Sequence, residues 1–430
     1  MTDNIMRDTM VDESIVLGSM KKSVLAIQHL IAMFGATVLV PILTGLHPSI
    51  ALFTAGFGTL IFHLCTKGKV PVFLGSSFAF IPIILKIKEV YNGDLAYAQG
   101  GIMIAGLIYV LLSFLVKSIG LDKIKKCLPP HIVGPMIIVI GLNLIPTAFG
   151  MASENLIVAG ITLGTALLIN FKGKGFIKQL SILIAVVTGY FVALNMNLVN
   201  TSVIKESNFL ALPPFQLPKF DIGAIAITAP VVLAVFMEHL GDITTNGQVV
   251  GKNFIEDPGL NRTLLGDGLA TMFASLVGGP ANTTYGENTG VLAITKNYDP
   301  SVLRLAAIFA VVLSFVAKIG GVLTSIPSSV MGGISLMLFS MISLIGVKTI
   351  KNEEVEFNWK NIVVMGTILI LGLGGEQLGT LLGGIIGREI IIGIPINGDV
   401  AITGLSFAAL MGIVINSVLN LIENKQIKNK

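Results

Sequence analysis

Fourteen apolar stretches of membrane-spanning length leave few folds open to this chain. They cover residues 21–44, 48–65, 70–87, 95–116, 129–149, 155–171, 176–198, 222–242, 260–278, 280–296, 301–324, 327–347, 361–378 and 401–422. A helix needs about 20 apolar residues to cross the hydrocarbon layer. Inside lipid only segments that satisfy their own backbone hydrogen bonds can span. The chain is 53% hydrophobic and 12% charged, against about 25% charged in a soluble domain. Its 48 glycines suit helices packed at close range. The expected fold is an all-α polytopic membrane protein of 14 transmembrane segments.

The basic residues test that division. With the N-terminus in the cytoplasm, only Lys86, Lys88, Lys205, Lys219 and Arg388 of the 28 lysines and arginines fall on the far side, and Lys318 falls inside a span. Such asymmetry is the positive-inside pattern, and an even number of segments returns both termini to the cytoplasm. It also accounts for the net charge of +4 without a nucleic-acid partner. Residues 1–20 read as a polar cytoplasmic tail, so the first span is expected to act as the insertion signal. Cys65 and Cys127 lie beside lysine-rich cytoplasmic stretches and are expected to be free thiols. Abundant Lys, Ile and Asn suggest an AT-rich bacterial genome, and the expected location is a bacterial cytoplasmic membrane.

Acidic residues inside the spans locate the function. A charge at mid-membrane costs about 2.5–3.5 kcal/mol on insertion scales and marks a substrate or ion path. Glu238 stands in Ala-Val-Phe-Met-Glu-His-Leu-Gly-Asp, and Glu287 in Thr-Thr-Tyr-Gly-Glu-Asn-Thr-Gly. For both, a binding role outweighs a structural pairing. Asp242 follows Glu238 by one turn on the same helical face and reads equally as a proton relay or a solvated cap. Asp267 reads equally as a coupling residue or a structural acceptor. His29 and His239 read as structural. No Walker loop, nucleophile elbow or Cys/His metal spacing is present, so neither an enzyme, a cofactor nor a metal is expected. The pattern implies a secondary transporter driven by an ion gradient or by the solute's own.

Segments 3 and 10 are irregular. Segment 3 contains Val-Pro-Val-Phe-Leu-Gly-Ser-Ser-Phe-Ala-Phe-Ile-Pro, and segment 10 opens on Gly-Gly-Pro and carries Gly286 and Gly290. Proline and clustered glycine interrupt helices. Each segment is expected to be part extended strand and part half-helix, the two meeting near the midplane, where unpaired N–H groups can face a ligand. Tyr285 and Gly286 would line this stretch, Phe78 would sit opposite Glu287 as a stacking surface or as core, and Ser76 and Ser77 are expected caps. Gln28-His29-Leu30 is echoed by Glu238-His239-Leu240, Pro71…Phe78 by Pro280…Glu287, and Pro129…Gly134 by Pro327…Gly332, each pair seven segments apart. An odd number of spans per half gives a 7+7 inverted repeat.

Glu287-Asn288-Thr289-Gly290 followed by Thr295-Lys296 resembles the signature of the nucleobase–ascorbate transporter (nucleobase:cation symporter-2) family, and Gln28-His29 resembles that family's first-span motif. Asn282–Asn288 and Leu74–Phe80 are most similar to the uracil permeases of bacteria within it. The resemblance runs over most of residues 20–350 and fades to hydropathy alone in segments 13 and 14. It implies a core domain from residues 21–119 and 222–326, and a gate domain from 120–221 and 327–430. It further implies uracil import by proton symport, commonly as a homodimer. The implied substrate contacts are Glu238, Glu287, Phe78, Gly286 and Tyr285. Proton coupling would fall to Glu238, Asp242 or Asp267, with Gln28, His29, His239, Ser77 and Asn288 in support. Two positions depart from close uracil permeases: Asp242 replaces a proton-linked histidine and Phe339 a tyrosine. Uracil suits the acids chemically, since carboxylates accept its two N–H groups and half-helix N–H groups serve its two carbonyls. A carboxyl group withdrawn from water also takes up a proton readily. The competing readings are a xanthine or urate symporter of the same family and an anion exchanger or channel of similar architecture, which two acids in the site disfavour. An intramembrane enzyme would need an acid pair for metal or an activated nucleophile, and neither is found.

Overall fold

The computed structural model describes residues 2–120, 129–386, 390–397 and 400–428. The expected cytoplasmic positions of Lys123, Lys125, Lys126 and Cys127, and the opposite placement of Arg388, lie outside the described residues. Cys65 is a free thiol.

The first half comprises α1 (Thr2–Thr44), α2 (Pro48–Cys65), β1 (Leu74–Ser76), α3 (Ile81–Val90), α4 (Ala96–Ile119), α5 (Pro130–Ser153), α6 (Leu156–Lys172) and α7 (Ser181–Asn195). The second comprises α8 (Ile222–Thr228), α9 (Val231–Val250), α10 (Leu260–Leu276), β2 (Asn282–Thr284), α11 (Gly286–Thr295), α12 (Pro300–Ser314), α13 (Ala317–Thr324), α14 (Ser328–Asn352), α15 (Trp359–Ile386), β3 (Ile394–Asn397), β4 (Val400–Ile402) and α16 (Gly404–Lys428). The chain is mostly helical. Among the described residues, 7 helices are long and apolar enough to cross a membrane, or up to 9 if each sharply bent pair is one span. The other apolar stretches hold shorter helices, because proline, glycine or a turn divides them.

Several boundaries differ from the sequence reading. The residues before Met20 are helical and continuous with α1, whose membrane-spanning stretch runs over Met20–Thr44. Segment 8 breaks at Pro230, which ends α8 and leads α9, and α9 then runs eight residues past the expected end to Val250. Segment 11 bends by 80° between Ser314 and Ala317. Segment 7 divides at Leu180 into the short helix Phe176–Gln179 and α7. The β3–β4 hairpin before α16 has no counterpart in the sequence reading.

Packing brings sequence-distant helices together. The main pairs are α5 with α14, α4 with α10, and α2 with α12. In the α4–α10 pair, a Cβ on Gly268 would lie 2.9 Å from Gly106 O, so only glycine permits that approach. α6 packs on α7 and α14, while α15 packs on α16 and α5. At the centre, β1 and β2 pair antiparallel in the register Leu74↔Thr284, Gly75↔Thr283 and Ser76↔Asn282.

Candidate functional site

Two short strands cannot satisfy all their backbone groups with each other, and in a membrane protein the outer edges need protein partners. Threonines from the flanking helices supply them. Leu74 N donates to Thr59 Oγ1 of α2 at 2.9 Å. On the other edge, Asn282 N donates to Thr271 Oγ1 of α10 at 3.2 Å, and that hydroxyl donates to Asn282 O at 3.1 Å. The ladder is extended by Ser77 N to Ala281 O at 2.8 Å and Tyr285 N to Phe73 O at 3.1 Å. All six strand residues are buried.

Each strand delivers the chain to the start of a short helix. β1 leads into a single 3₁₀ turn, Phe78–Phe80, and then α3; β2 leads through Tyr285 into α11. Neither start carries a side-chain cap, at Ser77 or at Tyr285. The expected capping by Ser76 and Ser77 is therefore replaced. Ser76 Oγ turns to Thr37 O of α1 at 2.9 Å, and Ser77 Oγ is buried without a hydrogen-bond partner. The first turns of both helices therefore begin without a capping side chain.

Three acids lie near these helix starts. Glu238 and Asp242 lie one turn apart on α9, and Glu287 lies in the first turn of α11; all three are half-buried. Glu238 is within electrostatic reach of Glu287 and of Asp267. Thr284 Oγ1 of β2 donates to Asp242 Oδ2 at 2.8 Å and so ties α9 to the strand pair. Gly286 and Gly241 are exposed, and a Cβ on either would meet nothing within 4 Å, so open space adjoins both acidic elements. Phe78 is half-buried at the start of the facing 3₁₀ turn.

Tyr285 does not offer its side chain. Its hydroxyl donates to Ser76 O at 2.9 Å and its ring lies over Gly75, where a Cβ would come within 2.3 Å of it. Asp267 is 1% exposed, and its Oδ2 lies 3.2 Å from His239 Nδ1, in ion-pair range but off the direction of a hydrogen bond. His239 Nε2 bonds Thr263 Oγ1 at 3.0 Å, so these three groups join α9 to α10 in the interior. Asn288 Nδ2 donates to His29 O at 3.0 Å and approaches His29 Nδ1 at 3.1 Å, clamping α11 to α1. Gln28 is half-buried with Oε1 unpaired.

Several supporting groups were not singled out in the sequence: Thr59, Thr271, Thr284 and Asn246. Asn246 Nδ2 bridges Pro71 O at 3.0 Å and Thr289 Oγ1 at 3.1 Å. Their signal was a polar side chain in an apolar segment, with Thr59 and Thr271 at matching places in the two halves. Among the described residues, no group of three His, Cys, Asp or Glu side chains could hold a metal ion.

Comparison with known proteins follows the same lines. The sequence matches the Permease family (Xan_ur_permease) over residues 20–379. It is 38% identical over 414 residues to the uracil permease of Bacillus subtilis (strain 168), covering 92% of this chain and 91% of that one. It is 40% identical over 411 residues to the uracil permease of Bacillus caldolyticus, covering 92% and 91%. It is 36% identical over 411 residues to the uracil permease of Escherichia coli (strain K12), covering 93% and 91%. Among solved structures it resembles the transmembrane domain of the cyanobacterium bicarbonate transporter BicA, with TM-score 0.61, 15% identity, and 81% and 94% coverage. It also resembles murine Slc26a9, an anion transporter in the inward-facing state, with TM-score 0.66, 10% identity, and 94% and 68% coverage. At such identities these two report the fold alone.

Proposed function

The chain belongs to this Permease family, that of the nucleobase–ascorbate transporters, and from that premise we propose that it imports uracil across the bacterial cytoplasmic membrane. It does so by proton symport and alternating access, as a transporter and not an enzyme. The observation that carries the reading is the strand pair. It sets two uncapped helix starts against each other, with Glu287 in the first turn of one and Glu238 within electrostatic reach of it.

Uracil presents two N–H donors and two carbonyl acceptors on a flat neutral ring. Glu238 and Glu287 take the N–H groups, and the backbone N–H groups around Gly286 and Phe78 take the carbonyls, so every buried polar group of the ring is paired. The Phe78 ring packs on the flat face. The proton enters at the Glu238–Asp242 pair, because neutralising one of two acids a turn apart removes their repulsion. Thr284 holds Asp242 against β2, which links that proton to the strand carrying the substrate contacts. Asp267, His239 and Thr263 hold α9 in place. The same chemistry argues against anion exchange, since an anion would meet two carboxylates.

The carrier is built from 14 segments as a 7+7 inverted repeat, with segments 3 and 10 each part strand and part half-helix. Support comes from helix pairs in mirrored sets: α2 with α12 answers α10 with α4, and α6 with α7 answers α15 with α16. Segments 1–4 and 8–11 form the core domain, and segments 5–7 and 12–14 the gate. Both termini are cytoplasmic, as the lysine distribution supports, and the family resemblance supports a homodimer.

Labelled uracil should accumulate in proteoliposomes under an imposed pH gradient, acid on the side of entry. A protonophore should abolish the accumulation, and unlabelled uracil should compete better than xanthine or urate. Uptake without accumulation would remove the proton coupling. Stronger competition by xanthine or urate would reassign the substrate.

A further inference from the structure

We propose that residues 208–222, the end of the link between α7 and α8, form an interfacial strap whose apolar side chains seat in the lipid leaflet opposite the lysine-rich connections. The link has no regular secondary structure over residues 208–221. Its backbone is nonetheless pinned to the ends of three helices, α4, α10 and α12. Ala211 N donates to Phe315 O at 3.0 Å, Gln216 N to Val277 O at 3.2 Å, and Lys219 N to Ala96 O at 2.9 Å. Pro213, Pro214 and Pro218 bring no N–H to satisfy. Side chains secure both ends. Lys318 Nζ donates to Ile204 O at 2.6 Å, Lys219 Nζ meets Asp94 Oδ2 at 2.7 Å, and the Tyr91 hydroxyl donates to Asp221.

A segment held this way should turn its apolar groups inward if water lay above it. Most turn outward. Phe209 is 70% exposed, Leu212 77% and Leu217 72%, and Leu210, Phe220 and Ile222 are exposed with them. Phe215 also packs inward, its ring centroid 5.1 Å from that of Phe53. An exposed apolar surface of this extent marks an interaction site. The occupant follows from what the surface joins. The strap is bonded at Val277 and Phe315, and the exposed Leu276 and Val312 lie near those anchors on α10 and α12, segments 9 and 11 of the proposed 14-segment carrier. Its outer face therefore continues the lipid-facing surface of the helices. Irregular backbone is allowed at the edge of the hydrocarbon when its hydrogen bonds are given to protein, and apolar side chains at that depth gain by entering the headgroup–acyl boundary.

The test uses single tryptophans in the full-length protein. Trp359, the one native tryptophan, is replaced by Phe, and Leu212→Trp or Leu217→Trp is added separately, each variant being kept only if it retains uracil uptake. Asn200→Trp, in the exposed polar start of the same link, serves as the aqueous control. In phosphatidylcholine vesicles, lipid brominated close to the headgroup should quench the strap tryptophans by more than half. Lipid brominated near the chain end should quench them less, and iodide barely; the control should show the reverse. Iodide quenching of both strap variants as strong as that of the control would place the strap in water and overturn the proposal. Resistance to both lipid and iodide would show it covered by protein, such as a second copy of the chain, and would overturn it equally.

Discussion

Thr271→Val tests how the site is held together. The Thr271 hydroxyl pairs both the N–H and the carbonyl of Asn282, at 3.2 and 3.1 Å, and both residues are 2% exposed. Valine keeps the shape and removes the oxygen, so no cavity opens and two buried backbone groups lose their partner. Each orphaned group costs about 1–3 kcal/mol, which gives roughly 2–6 kcal/mol for the pair. The cost falls on the strand that delivers Gly286 and Glu287, so stability and binding should drop together. Thermal unfolding of the detergent-purified protein should show a lowered Tm. Equilibrium binding of labelled uracil should weaken about tenfold for every 1.4 kcal/mol lost from the bound geometry. Thr271→Ser keeps the oxygen and should restore most of both. A Thr271→Val protein with wild-type Tm and wild-type affinity would refute the view that this edge bond shapes the site.

Three further outcomes follow from the same geometry. Gly286→Ala should bind uracil nearly as well as wild type, because its methyl meets open space, whereas Gly286→Leu should fill that space and abolish binding with little change in Tm. Gly75→Ala should cost about 1–3 kcal/mol of stability through collision with the Tyr285 ring, read as a lowered Tm that Tyr285→Leu partly relieves. The Tyr91 hydroxyl, with the backbone N–H groups of Gly223 and Ala224, holds the Asp221 carboxyl below its ordinary range. That stabilisation is complete above the ordinary Asp value of about 3.9 and is lost as pH falls through the lower folded value. Wild type should therefore lose Tm more steeply than Asp221→Ala on acidification below that point, and the variant should start about 1 kcal/mol less stable from the lost cap.

The membrane class, the apolar stretches and the unusual placing of two acids within them were legible in the sequence because burying charge or backbone in lipid carries a large, local penalty. Glu238 and Glu287 are conspicuous for that reason. The role of Tyr285 was only half legible: its place beside the site could be read, but not that its hydroxyl is taken by Ser76 O, which depends on strand register. The cap expected of Ser76 failed because α1 offered Thr37 O as a partner, a contact between distant parts of the chain, while Ser77 Oγ is left buried without a partner. Thr59 and Thr271 were missed because a threonine in an apolar helix usually bonds its own preceding turn. Thr59 does that with Ala55 O and also serves β1. The break at Pro230 and the β3–β4 hairpin were obscured by hydropathy, which measures how apolar a stretch is and not whether it stays straight.

The central claim is that Glu238 and Glu287, brought from different segments, grip one flat ring. Equilibrium binding of labelled uracil to Glu238→Gln, Glu287→Gln and the double variant measures this most directly. Hydrogen bonds to charged groups contribute about 1.5–3 kcal/mol, so each single variant should bind roughly tenfold to a hundredfold more weakly with Tm preserved. The double variant should lose less than the sum of the two, because both acids serve the same ligand. Wild-type affinity in either single variant would contradict the claim.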